Sequence, residues 1–139
     1  MTKIMYVEDD ADTRNFVARL LEAEGYDVVQ AESGEECLSK LQKERFDLIL
    51  LDIILHTMSG WDTFEKIKEV YSAYENHGWP TYAKIRDVSM DVKVAFLSAI
   101  PISDERLSVL KTHGVSDYIM KPFEKDDLLV RIKKILEEA

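Results

Sequence analysis

The chain is poor in the residues that staple or break a fold. Its 139 residues include one cysteine, three prolines and five glycines. A single cysteine, Cys37, excludes an internal disulfide and any metal site built from several cysteines. No apolar stretch reaches the ~18 residues that a membrane span needs, because Leu48–Leu51 is cut off by Asp52. Basic residues are outnumbered, 18 Lys and Arg against 27 Asp and Glu, for a formal net charge of −9. A field of that sign repels phosphate backbones and argues against nucleic acid as a direct ligand. The first apolar run ends in Glu8-Asp9-Asp10 and carries no glycine-rich turn, which argues against dinucleotide and P-loop binding. Internal repeats and low-complexity tracts are missing. The opening Met1-Thr2-Lys3 enters Ile4-Met5-Tyr6-Val7 without a signal-peptide layout, and a reducing, cytoplasmic setting is the expectation.

What remains is a chain with 46% hydrophobic and 32% charged residues, the balance of one folded domain. Five apolar runs read as strands: Lys3–Val7, Asp27–Ala31, Leu48–Leu51, Val92–Leu97 and Tyr118–Met120. Five segments of helical period lie among them. Phe16, Val17, Leu20 and Leu21 form the inward face of the first, which stops at Gly25. Ser33 with Glu36 makes a capping box that opens the second, with Cys37, Leu38 and Leu41 inward. Phe64, Ile67, Val70, Tyr71 and Tyr74 mark the third, ending near Gly78. The fourth starts near Asp104 and carries Leu107 and Leu110. The last holds Leu128, Leu129, Ile132, Ile135 and Leu136.

Strict alternation predicts an α/β fold: a doubly wound parallel sheet of five strands with helices on both faces. One connection, about 78–91, is longer than the usual ~2–6 residues. Trp79-Pro80 breaks the third helix there, since the residue before proline avoids helical geometry. Such a connection lies at the amino-terminal edge of the sheet and reads as a partner surface or an elaboration.

In open parallel sheets ligands sit at the carboxyl ends of the strands. There this sequence places Glu8, Asp9 and Asp10 after the first strand, Asp52 after the third, Ser98-Ala99 at the fourth and Lys121-Pro122 at the fifth. Asp10 or Asp12 alone reads equally well as a helix cap. Asp52 interrupts an apolar run, and a buried unpaired carboxylate costs several kcal/mol, so it needs a cation or a function.

Glu8-Asp9-Asp10, Asp52 with Met58-Ser59-Gly60, Leu97-Ser98-Ala99 and Tyr118 through Phe123 resemble the receiver domain of two-component response regulators. The resemblance spans nearly the whole chain, with its motifs in order. It implies a flavodoxin-like sheet of order 2-1-3-4-5 and a single receiver over residues 1–139 with no output domain. It implies that Asp52 accepts a phosphoryl group, and that Glu8, Asp9, Asp52 and the backbone carbonyl of Ile54 hold Mg2+ (or Mn2+). It makes Lys121, before a cis bond to Pro122, the phosphate clamp, and Ser98 and Tyr118 the switch pair. Ile54 and Ile100 would flank the path of a hydrolytic water. The partners implied are a histidine kinase or phosphotransfer protein and a downstream protein, with no nucleic acid and no membrane insertion. Such a chain is a signalling phosphoprotein that assists its own phosphorylation and dephosphorylation. His56 departs from the family's usual proline and reads as a solvated loop residue, as do His77 and His113. Two other readings stand beside it. Asp10-Ala11-Asp12-Thr13 resembles the nucleophile loop of an aspartyl-phosphate phosphatase, one residue short, and a receiver scaffold can also serve as a non-phosphorylated binding module.

Overall fold

The computed structural model describes residues 2–77 and 92–138. The long 78–91 connection, with Trp79-Pro80, lies outside the described residues. Five strands form one sheet: β1 (Lys3–Val7), β2 (Asp27–Ala31), β3 (Leu48–Leu51), β4 (Lys93–Ser98) and β5 (Val115–Met120). All neighbours are parallel and the order is β2-β1-β3-β4-β5, as the resemblance implies. Five described helices cover it: α1 (Ala11–Ala23), α2 (Gly34–Leu41), α3 (Gly60–His77), α4 (Asp104–Thr112) and α5 (Lys125–Glu137).

The central strand β3 is apolar at every position, and β1 and β4 nearly so, because both faces of the sheet are covered there. Successive side chains point to opposite faces. Met5, Val7, Ile49, Leu51, Val94 and Phe96 therefore join one core with Cys37 and Leu41 of α2 and Phe64 and Ile67 of α3. Ile4, Tyr6, Leu48, Leu50, Ala95 and Leu97 join the other with Val17 and Leu21 of α1 and Leu128, Ile132 and Ile135 of α5. Each such Leu or Ile contributes about 1.5–3 kcal/mol by leaving water.

Local signals behave as expected at most boundaries. The Ser33 side chain accepts from the Glu36 N–H at 3.1 Å, although the Glu36 carboxylate turns to Lys40 at 3.0 Å and leaves the box half closed. Gly25 and Gly114 take positive φ of 94° and 101° after α1 and α4, where a side chain would be strained. Two expectations need revision. Strand β5 starts at Val115, three residues before Tyr118, because Val115 and Asp117 pair with β4 while the register skips Ser116 at an irregularity. On α1 the buried stripe is Arg14, Val17, Ala18 and Leu21, while Phe16 is 59% exposed. The i, i+3, i+4, i+7 series starts at a cation, so Val17 and Leu21 are inward as expected while Phe16 is not.

Candidate functional site

Strand register sets the site. Val7 pairs with Leu51, so Glu8 and Asp52 leave adjacent central strands at one level, and the Asp52 N–H donates to the Val7 carbonyl at 3.1 Å. Ser98 pairs with Met120, and the Lys121 N–H donates to the Ser98 carbonyl at 2.8 Å. Four strand ends thus deliver two carboxylates, a hydroxyl and an ammonium to one crevice. Asp9 follows Glu8 and completes it. A ligand atom from each of Glu8, Asp9 and Asp52 falls within 4.8 Å of the others, a spacing that one divalent cation can bridge.

Burial makes this arrangement costly. Glu8 and Asp52 are 2% and 7% exposed, and Ser98 is fully buried. The Lys121 ammonium lies 2.5 Å from Glu8 Oε1 and 3.3 Å from Asp52 Oδ2 and bridges both carboxylates. Burial pushes the Glu8 carboxyl above its ordinary range, against the pull of Lys121 and with the help of Asp52. Burial opposes the Lys121 charge as well, but the Glu8 hydrogen bond and the field of Asp52 outweigh it and hold the ammonium above its usual value. Beneath them Tyr6, whose hydroxyl donates to Glu8 at 3.3 Å, is raised by burial and then by Glu8. Hard oxygen donors, clustered and held together by one lysine, fit Mg2+ or Mn2+ and offer no soft ligand.

The loop after Asp52 is folded tightly over its own strand. The Gly60 N–H donates to the Ile53 carbonyl at 2.7 Å. A Cβ at Gly60 would overlap the main-chain oxygen of Asp52. This glycine is therefore part of what holds the carboxylate in place. Ile54 donates its N–H to Asp52 Oδ1 at 3.4 Å, and its side chain is 62% exposed. His56 is a solvated loop residue, as read, yet its Nε2 lies 3.3 Å from Asp9 Oδ2.

Ser98 and Tyr118 hold the two sides of one residue, Ile100. Ser98 Oγ accepts from the Ile100 N–H at 3.2 Å, and Tyr118 donates its hydroxyl to the Ile100 carbonyl at 2.5 Å. Tyr118 is 4% exposed. Ile100 stands at the rim, 37% exposed. The Lys121–Pro122 bond is cis.

Asp10 takes the cap role. Its Oδ2 accepts from the Thr13 N–H at 2.9 Å and from the Thr13 hydroxyl at 2.6 Å. Those bonds hold its carboxyl below the ordinary value and occupy the acid that a phosphatase loop would need. One residue that sequence reading passed over belongs here: Arg14, which reaches the acid turn from α1 and was visible only as the charged member of a helical stripe; Gly60 was named in its motif, but its packing role was not read.

The family described as the response regulator receiver domain matches residues 4–76. Among curated relatives, a homologue of the transcriptional regulatory protein CpxR from Haemophilus influenzae is 32% identical over all of this chain and 52% of its own length. This chain spans about half the length, or less, of the curated relatives it matches. A CheY-like receiver domain protein from Methanospirillum hungatei superposes with a TM-score of 0.76 at 29% identity, over 99% of this chain and 94% of that one. The response regulator TrrA from Thermotoga maritima, solved in complex with Mg2+–BeF, gives a TM-score of 0.72 at 27% identity, over 97% and 99% of the two chains. No described helix is long and apolar enough to cross a membrane.

Proposed function

Because the chain belongs to the response regulator receiver family, a family of signalling domains, we propose that Asp52 accepts a phosphoryl group from a histidine kinase or phosphotransfer protein. The observation that carries this reading is the position of Asp52, buried at a central strand end between two further carboxylates and the Lys121 ammonium. An Asp52 oxygen attacks phosphorus, the bond from phosphorus to the donor's imidazole nitrogen breaks, and the imidazole leaves with a proton. The product is an acyl phosphate. Positioning and charge neutralisation supply most of the catalysis in such transfers.

Glu8, Asp9, Asp52 and the Ile54 carbonyl would hold Mg2+, an inference supported by the clustered oxygens and by the complex of the related TrrA. When bound, the ion neutralises charge on the transferred group. Lys121 then exchanges part of its contact with Glu8 and Asp52 for a phosphoryl oxygen. Ser98 accepts from the Ile100 N–H, and its own O–H would turn to donate to a phosphoryl oxygen. Because Ser98 holds the N–H of Ile100 and Tyr118 its carbonyl, a pull on one is passed through that residue to the other, and the phosphoryl group shifts a pre-existing equilibrium. Residues 1–139 act as one receiver, in a cytoplasmic setting.

The test is intact mass after incubation with acetyl phosphate and Mg2+. Wild type gains one phosphoryl group and Asp52→Asn gains none. Equal labelling of the two would remove Asp52 from its role. Steady turnover of the phosphate donor with no retained group would favour a phosphatase.

A further inference from the structure

Arg14 is the one cation on the buried stripe of α1. It is 8% exposed, and its guanidinium is aimed at the turn that carries Glu8 and Asp9. Nη1 donates to the Glu8 carbonyl at 2.9 Å and reaches the Asp9 carbonyl at 3.5 Å. Nε donates to Gln30 Oε1 at 3.1 Å, and Nη2 lies 3.5 Å from Glu32 Oε1, so the edge of β2 holds the other side of the fork. A charge kept this far from water is costly unless its bonds return the energy, and two of these four contacts, the shortest among them, end on the main chain of the acids themselves. Asp10 fixes the same turn from the far side through its cap on Thr13. The backbone of residues 8–10 is thereby clamped at both ends.

We propose that Arg14 is a positioning residue for the cation site: by pinning the Glu8 and Asp9 carbonyls it sets the direction in which their carboxylates enter the crevice. This rests on the reading that the acidic cluster holds a divalent cation. Groups that orient ligands without touching the ion typically change metal affinity 10–100-fold when removed.

The sign of the effect separates positioning from charge. Removing a nearby positive charge, with geometry unchanged, tightens cation binding. Losing the clamp weakens it. A purely structural role would lower the unfolding midpoint and leave the affinity of the folded protein unchanged. Mn2+ titration followed by electron paramagnetic resonance of the free ion reads the dissociation constant directly, with circular dichroism confirming that each variant is folded. Arg14→Met is expected to bind Mn2+ about tenfold more weakly than wild type. Arg14→Lys retains the charge without the fork, and its affinity should fall between the two. An Arg14→Met affinity equal to or tighter than wild type overturns the proposal. If that variant does not fold, Arg14→Lys decides, and a wild-type or tighter affinity overturns it. Absence of Mn2+ binding by wild type would instead remove the cation reading itself, and this proposal with it.

Discussion

The two ends of the sheet carry similar chemistry in opposite settings. At the amino end, Lys3 meets Glu44 at 2.5 Å and Asp27 at 3.8 Å, with its side chain 29% exposed and theirs 38% and 46%. Asp47 accepts from the Lys3 N–H at 2.8 Å and pairs with Arg45 at 3.4 Å. At the carboxyl end, Lys121 meets Glu8 and Asp52, whose side chains are 3% and 10% exposed. Exposed pairs are worth about 0–1 kcal/mol and cost little to keep. Buried ones carry a desolvation penalty that mutual attraction barely returns. Of the buried polar residues described, Glu8, Asp52 and Ser98 stand at or just beyond carboxyl ends of strands, and Arg14 and Thr63 near the starts of α1 and α3. The amino end is finished for solubility, whereas the carboxyl end retains charge that the fold alone does not need.

Lysine replacement breaks this comparison most sharply. Without divalent cation, Lys121→Met leaves Glu8 and Asp52 facing each other and should lower stability by about 3 kcal/mol. Lys3→Met should cost under about 1 kcal/mol. Mg2+ should return part of the loss in Lys121→Met, because binding only the native state raises its stability. Urea midpoints with and without Mg2+ check both, and equal losses for the two lysines would erase the distinction between the ends. Gly60→Ala comes next. Its Cβ would press on the Asp52 carbonyl, an overpacking worth about 1–3 kcal/mol, and it should slow labelling by acetyl phosphate at matched stability.

Kinetics sharpen the comparison further. Ile54 and Ile100 present apolar side chains at the rim, 62% and 37% exposed, and neither can orient a water. Ile54→Asn with Ile100→Glu should accelerate phosphoryl loss about tenfold, equivalent to ~1.4 kcal/mol off the barrier. Phosphoprotein decay after removal of the donor, in saturating Mg2+, measures it. The smallest effect belongs to the cap: Asp10→Ala should cost about 1 kcal/mol in thermal or urea unfolding. Because Asp10 is spent on Thr13, the same variant should still label at Asp52.

Much of the carboxyl end was legible in the sequence. Asp52 ends the apolar run Leu48–Leu51, Glu8 and Asp9 follow Val7, and Lys121 follows Met120, so strand ends read from the pattern, with the strand order that the resemblance implies, brought them together. The fold was legible for the same reason, since strands covered on both faces are apolar at every position. What escaped depends on contacts across elements. Arg14 is a charged residue on a buried stripe, and its partners are carbonyls, which leave no trace in residue identity. Gly60 shows its role only once its α-carbon is seen against the Asp52 main chain. Phe16 misled because hydrophobicity was read without the helix's actual facing. Tyr118 could be named from the resemblance, but its inward position came only from its bond to Ile100.

Locating the phosphoryl group is the most direct test of the claim that the charged end of the sheet exists for transfer to Asp52. Wild type labelled with acetyl phosphate and Mg2+ can be treated with borohydride, which reduces an acyl phosphate to the alcohol and turns the aspartate into homoserine. Peptide mapping should find homoserine at position 52 alone, and none when Mg2+ is withheld. Homoserine at Asp9, Asp10 or Asp12, or an unmodified position 52, would contradict the account.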